Sequence, residues 1–346
     1  MKAARIFAER DIRYVEKEKP AIGPEEVLVE VKAVGVCGSD VELYEGVHPY
    51  LERGLTTLPI TPGHEWSGRI AKTGEGVEDF SPGDRVTGDV TLACGDCEYC
   101  MKGRYNLCPN RIVVGSYRNK EGAFADYIKM PRRHLYKIPD GVSYREAAMT
   151  EPAATCVYGV KRTDLEFGSS VLVVGDGAIG QFALQSAAAG GAGKVIMSGS
   201  YDQKLGIAAD LYDAETINRH EHDVVNRVRD LTEGEGVDVV LEASGNDKGL
   251  DQGLEALKPG GKICLLSIYP QEELTVDINS VVFKDADLHG VLGSPRSFSS
   301  TLRMMAKGKL KPEELISHTV ALEDAEKAFD FVYNDRENTI KTIIEP

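Results

Sequence analysis

The chain has 346 residues, 42% of them apolar and 27% charged, and a formal net charge of -15. This length allows two domains of ordinary size, each with its own core, and the composition is that of a soluble globular protein. An acidic balance without clustered Lys and Arg excludes the phosphate neutralisation on which nucleic-acid binding rests, and no apolar run is long enough to cross a bilayer.

The first residues, Met1-Lys2-Ala3-Ala4-Arg5-Ile6-Phe7-Ala8-Glu9, meet charge before an apolar run of signal-peptide length, so a cytoplasmic location without membrane contact is expected. Seven cysteines is an odd number, and four of them fall between Cys94 and Cys108. That distribution fits thiolate metal ligation better than a disulfide framework.

Residues 27–34 alternate, with Val27, Val29, Val31 and Ala33 on one face and Glu30 and Lys32 on the other, which predicts a half-buried strand. It delivers Val36-Cys37-Gly38-Ser39-Asp40. From Pro62 to Val86, short strands and glycine turns (Thr73-Gly74-Glu75-Gly76, Ser81-Pro82-Gly83-Asp84) predict a compact antiparallel region holding Gly63-His64-Glu65 on tight backbone. A thiolate, an imidazole and a carboxylate form a mixture that zinc accepts, and three protein ligands with one exchangeable position is the catalytic arrangement. Cys37, His64, Glu65 and the downstream Glu151 are the candidates for such a set.

Cys94-Gly95-Asp96-Cys97-Glu98-Tyr99-Cys100 and then Cys108 leave two, two and seven intervening residues. One excursion of chain, at about residues 90–110, can therefore wrap four thiolates around one ion and close its tetrahedral shell. Residues 123–138 are expected to continue as strand through Phe124-Ala125-Asp126-Tyr127-Ile128. Ser143-Tyr144-Arg145-Glu146 has the form of a capping box that opens a helix. Glu151-Pro152 then marks a fresh helix start, because proline suits a first turn and not a helix interior.

Val171-Leu172-Val173-Val174-Gly175-Asp176-Gly177-Ala178-Ile179-Gly180 predicts a buried strand, a glycine turn and a helix. The GxGxxG pattern draws its force from this context, with Ile179, Phe182, Ala183 and Ser186 at helical spacing and a second strand at Lys194 to Ser198. Gly175, Gly177 and Gly180 let a pyrophosphate approach the backbone, and the helix start at Ala178 and Ile179 offers unpaired N–H groups to its charge. Further alternation (helix at 224–231, strand at 237–243, turn Lys258-Pro259-Gly260-Gly261, strand at 262–267) predicts a parallel sheet with crossover helices. The expected class is α/β: a mostly β domain over residues 1–150 and 295–346, and a doubly wound Rossmann domain over 151–294.

An NAD site places Asp or Glu at the end of the second strand, about twenty residues past the glycines. Here Gly199 stands in that place, followed by Ser200, Tyr201, Asp202 and Lys204. Loss of the carboxylate removes repulsion toward a 2′-phosphate, Ser200 can donate to it and Lys204 adds positive charge, so NADP is favoured over NAD.

The run Gly63-His64-Glu65-Trp66-Ser67-Gly68 with Gly74 and Val77, together with the motifs around it, resembles the zinc-containing medium-chain dehydrogenases, the superfamily of alcohol, sorbitol and threonine dehydrogenases. The resemblance implies a GroES-like catalytic domain and two zinc ions per chain. One is catalytic on Cys37, His64 and Glu65 or Glu151, and one is structural on Cys94, Cys97, Cys100 and Cys108. It gives Ser39 the hydrogen bond to the substrate oxygen. The histidine that relatives carry three residues later is here Glu42, with Tyr44 and His48 as other candidates for passing the proton. Leu266, Ser267, Val291 and Leu292 are expected to line the nicotinamide. The implied reaction is oxidation of a secondary alcohol, such as a polyol or sugar alcohol, to a ketone, or the reverse, and a homo-oligomer, dimer or tetramer, is expected. Glu151-Pro152 points to the sorbitol and threonine branch. Threonine itself is disfavoured, because Thr91 and Leu92 stand where threonine-specific relatives carry a histidine. A zinc-independent quinone or enoyl reductase and a non-enzymatic NADPH-binding protein are the alternatives.

Overall fold

The structure, a computed structural model, describes residues 1–269 and 273–346. The chain is divided between two compact units: Met1–Glu151, Phe298–Ala306 and Leu315–Pro346 make one, and Pro152–Ser297 with Lys307–Glu314 the other. The α/β class expected from the sequence is what the chain adopts, and no described helix is long and apolar enough to cross a membrane.

The first unit is built on a seven-stranded sheet. Its strands run in the order Ile316–Ala321, Lys341–Glu345, Glu26–Gly35, Glu65–Thr73, Arg85–Gly88 and Leu135–Lys137, with Tyr127–Pro131 also paired to Glu26–Gly35. The alternation of Val27, Val29, Val31 and Ala33 buries one face of Glu26–Gly35 against a core that includes Trp66, Ile70, Phe124, Met130 and Phe329. Register sets Gly35 opposite Glu65 on one side and Ile343 on the other. This places three strands from distant parts of the chain around one point.

The strand expected to include Phe124 begins only at Tyr127. Residues 122–124 instead give their backbone N–H groups to the carbonyls of Thr61, Gly63 and Pro62, at 2.7, 2.8 and 3.0 Å. A side chain at Gly122 would sit 2.2 Å from the Pro62 carbonyl oxygen, so this approach requires glycine. The apolar run thus braces the loop that carries His64.

The second unit is a six-stranded, wholly parallel sheet in the order Glu215–Asn218, Lys194–Gly199, Ser170–Val174, Val237–Glu242, Leu257–Leu265 and Asp287–Gly290. The order in which the chain adds strands reverses between Ser170–Val174 and Val237–Glu242, and ligands of such sheets bind beyond the carboxyl ends at that switch point. The expected turn at 258–261 lies inside one strand: pairing steps from Val237 with Leu257 to Val239 with Lys262, and Gly260 takes a φ of 73°. The intervening residues break the register of the pairing there.

Candidate metal centres and cofactor cavity

Cys37 caps the amino terminus of the helix Gly38–Tyr44, and the cap is closed by Asp40. One Asp40 oxygen accepts from the Cys37 N–H at 3.0 Å and the other accepts from the Gly63 N–H at 3.0 Å. The second oxygen also lies 3.4 Å from His64 Nδ1. A single buried carboxylate therefore ties together the two segments that carry the thiol and the imidazole. Burial disfavours the Asp40 charge, but His64 and the two backbone donors outweigh it, and its carboxyl is held below the usual range.

Gly63, with a φ of 94°, turns the chain so that His64 and Glu65 start the strand Glu65–Thr73 facing Cys37. Ligand atoms of Cys37, His64 and Glu65 all lie within 4.8 Å of one another. His64 Nδ1 is buried without a hydrogen bond of good geometry. Burial works against its protonation, yet Asp40 and Cys37 raise its pKa well above the ordinary histidine value. This concentration of one thiol, one imidazole and one carboxylate fits a divalent cation of zinc's kind.

Glu65 is held from its other side. Both of its oxygens accept from Lys341 Nζ, at 2.8 and 2.7 Å, and the same ammonium donates to the Val36 carbonyl at 3.1 Å. A side chain at Gly35 would come within 2.3 Å of the Glu65 carboxylate, so the pair needs glycine between its strands.

Glu151 stands in the first turn of the helix Thr150–Arg162, half-buried, and is not one of the three clustered groups. Burial, with Glu65 and Asp89 adding repulsion, pushes its carboxyl up to about 7 against the pull of His64 and Lys341. Ser39 is half-buried in the first turn of its helix, and its hydroxyl has no hydrogen-bond partner among the described residues. Glu42 is half-buried on the same helix, and burial alone raises its pKa. Tyr44 turns elsewhere: its ring stacks on Phe329 at 4.7 Å and its hydroxyl meets Glu326 at 3.3 Å. His48 is buried, feels both Asp40 and His64, and is pushed down to about 4, chiefly by burial. Its Nδ1 accepts from the Tyr50 N–H at 3.1 Å, which leaves Nε2 to carry the proton of the neutral ring.

The four-cysteine excursion closes on itself. Sulfur separations are 3.8 Å for Cys94 and Cys100, 3.5 Å for Cys97 and Cys100, and 3.4 Å for Cys94 and Cys108. Sulfurs about 2.3 Å from a tetrahedral zinc lie ~3.8 Å apart, so the four thiols are gathered at close to the spacing one ion requires. The Gly95 N–H points at Cys100 Sγ from 3.4 Å, and Arg133 clamps the lobe by donating to the carbonyls of Ala93 and Cys94.

In the second unit, Gly175 has a φ of 113°, and a side chain at Gly180 would fall 1.9 Å from the Gly175 carbonyl oxygen. A side chain at Gly177 meets nothing within 4 Å, which leaves the amino terminus of the helix Ala178–Ala189 open. Beside it is a cavity of about 230 Å³ lined by Gly175, Asp176, Gly177, Gly199, Ser200 and Arg219, among others. Glycines at these contacts and a helix start facing open space fit a dinucleotide. Lys204 does not line this cavity: it is buried, with its ammonium over the Tyr201 ring at 4.9 Å. Leu266, Ser267, Val291 and Leu292 follow the carboxyl ends of two neighbouring parallel strands, where the Val291 N–H donates to the Leu265 carbonyl at 3.1 Å.

The alcohol dehydrogenase GroES-like domain model matches residues 23–140, and the zinc-binding dehydrogenase model matches residues 178–307. Sorbitol dehydrogenase of Bacillus subtilis (strain 168) is 32% identical over 346 residues, covering 100% of this chain and 97% of that one. The chain belongs to the zinc-binding alcohol dehydrogenases. This dehydrogenase is also 34% identical to L-threonine 3-dehydrogenase of Pyrococcus horikoshii over 92% of its own length and 91% of the relative's. A protein from Sinorhizobium meliloti 1021, described as a zinc-binding dehydrogenase and solved bound to NADP, superposes with a TM-score of 0.90 at 30% identity, covering 100% and 99% of the two chains. The dehydrogenase is therefore an oxidoreductase that acts on small-molecule alcohols with zinc and a nicotinamide cofactor.

Sequence reasoning missed four residues of this dehydrogenase's sites. Asp40 was visible only as an acid after the thiol. Lys341 lies 276 positions from Glu65 and carries no local signal. Arg219 follows the third strand of the parallel sheet, and Asp176 hides inside the glycine pattern itself.

Proposed function

We propose that this dehydrogenase interconverts a secondary alcohol of the polyol or sugar-alcohol class and its ketone, with the first unit carrying the chemistry and the second the dinucleotide. The observation that carries the reading is the cluster of Cys37, His64 and Glu65, with the unpartnered Ser39 hydroxyl two residues after Cys37. A zinc held there would act as a Lewis acid on the substrate oxygen, and the nicotinamide would exchange hydride with the carbon. Ser39 takes the hydroxyl proton, and the half-buried Glu42 and the neutral His48 are the groups that can pass it on, since Tyr44 is engaged by Phe329 and Glu326. Glu151 stands by as a carboxyl beside the cluster. A second zinc belongs to Cys94, Cys97, Cys100 and Cys108.

NADP is the preferred cofactor in this reading, supported by Ser200 and Arg219 on the cavity wall, with Asp176 in the same lining as the opposing charge. A homo-oligomer is supported by the edge strand Asp287–Gly290 and its exposed apolar neighbours Ile278, Val282, Phe283, Leu288 and Leu292. Polyols and ketoses supplied with each nucleotide, followed by absorbance of the reduced nicotinamide, test the reaction. Zinc analysis of Cys37→Ser tests the site: one ion should remain, and no alcohol should turn over. Full activity in that variant would end the proposal.

A further inference from the structure

The second strand of the parallel sheet ends on Gly199, where a nicotinamide enzyme that selects NAD carries an acid. The space is not vacant. A side chain at Gly199 would begin 2.5 Å from Asp176 Oδ2 and 2.6 Å from Asp176 Cβ. Register explains the collision, since Val174 pairs with Ser198 and Asp176 follows two residues beyond Val174. Asp176, from the glycine turn, therefore occupies the room that a side chain at the strand end would use. Its Oδ2 accepts from the N–H groups of Ser200 at 2.7 Å and Tyr201 at 2.9 Å, while Oδ1 carries no hydrogen bond among the described residues. Asp202, the other acid nearby, does not line the cavity and accepts from Asn218 at 2.7 Å.

We propose that Asp176 is a specificity-determining residue of the cofactor site, a transposed carboxylate that accepts a ribose hydroxyl through Oδ1 and opposes a phosphate on that ribose. Arg219 is its counterweight. It is exposed, lines the same cavity, and is anchored by its backbone N–H to the Gly199 carbonyl at 2.9 Å. The strand pairing that sets Asn218 beside Gly199 brings this cation to the strand end from the next strand over. A fixed negative charge and an opposing positive one on one wall set the NAD to NADP ratio, because the 2′-phosphate meets both and the bare hydroxyl chiefly needs the acceptor.

This inference rests on the reading that the cavity holds the adenosine half of the cofactor. Dissociation constants of NAD, NADP, ADP and 2′,5′-ADP, measured by titration calorimetry on the full zinc-loaded chain, test it apart from turnover. Asp176→Asn keeps an oxygen for the two N–H groups and removes the charge. Affinity for NAD and ADP should fall about tenfold while that for NADP and 2′,5′-ADP holds or tightens, moving the ratio toward the phosphorylated ligands by tenfold or more. Arg219→Ala, at an exposed position, should move the ratio the opposite way. Equal changes for both ligand classes in Asp176→Asn, or an unmoved ratio in Arg219→Ala, would overturn the assignment. The ratio in the unaltered chain tests NADP preference separately: a chain that favours NAD contradicts that preference, and the shifts in the variants still decide Asp176.

Discussion

Replacing Lys341 with methionine tests how the metal-binding cluster is supported. Side chains of Lys341 and Glu65 are 4% and 1% exposed and meet through two contacts of 2.8 and 2.7 Å. Burial works against the ammonium, but Glu65, Cys37 and Asp40 together hold the Lys341 pKa above the usual lysine range. Removing one partner of such a pair strands the other's charge, a loss of ~3–5 kcal/mol, whereas neutralising both is close to neutral. Lys341→Met should therefore lose that amount in urea unfolding of the chain stripped of its catalytic zinc, where no cation opposes Glu65. For a cooperative unit of 150–250 residues at ~2–4 °C per kcal/mol, the melting temperature should drop by ~6–20 °C. Adding Glu65→Gln should return stability to within ~1–2 kcal/mol of the unaltered chain. A single variant that loses less than ~1 kcal/mol, or a double variant that sums the two losses, would refute the ion-pair argument.

Three further outcomes follow from the same geometry. Cys100→Ser removes one of four gathered thiols and should release one zinc per chain by metal analysis; retention of both ions would count against the structural centre. Gly180→Ala places a methyl 1.9 Å from a carbonyl oxygen and should cost ~2 kcal/mol or more, with weakened dinucleotide binding by calorimetry. Native affinity there would contradict the turn geometry. His134, 7% exposed, has its pKa pushed down to about 4 by burial and then by Arg133, so below its ordinary value of ~6.5 the unfolded chain takes up a proton that the folded chain refuses. Stability from this group is whole above ~6.5 and is lost as pH falls toward 4, by about 2 kcal/mol at about pH 5. Denaturant midpoints of His134→Gln should lack that portion of the acid slope, and an unchanged slope would exclude His134 as its source.

What could be read from the sequence was what one stretch of chain decides by itself. Alternation at 27–34 names both the strand and its buried face. The spacing from Cys94 to Cys108 needs only a short excursion to close, and Ser143 with Glu146 forms its capping box within four residues, at 3.1 and 2.7 Å. The glycine pattern at 175–180 is legible because much of it is local: Gly175 takes a positive φ, and Gly180 is required by the Gly175 carbonyl five residues before it. Where the answer lies elsewhere in the chain, the reading fails. The Phe124 run has strand composition but gives its N–H groups to the His64 loop. Tyr44 has a proton to offer, but Phe329 and Glu326, from the far end of the chain, claim its ring and hydroxyl. At Gly199 the missing acid reads as an absence until Asp176 is found in its place.

Two of the clustered ligands share with the residues that hold them a further property that no single motif expresses. Asp40, His64, Glu65 and Lys341 are all buried and ionisable, and a lone charge in such a place would cost several kcal/mol. They persist because each is opposed: Asp40 faces His64 and two N–H groups, and Glu65 faces Lys341. Gly35 and Gly63 supply the close approaches that make these pairings geometrically available. The cluster is therefore held in place by its own surroundings, and a cation entering it finds thiol, imidazole and carboxylate already gathered, with protons and the hold of Lys341 on Glu65 to displace.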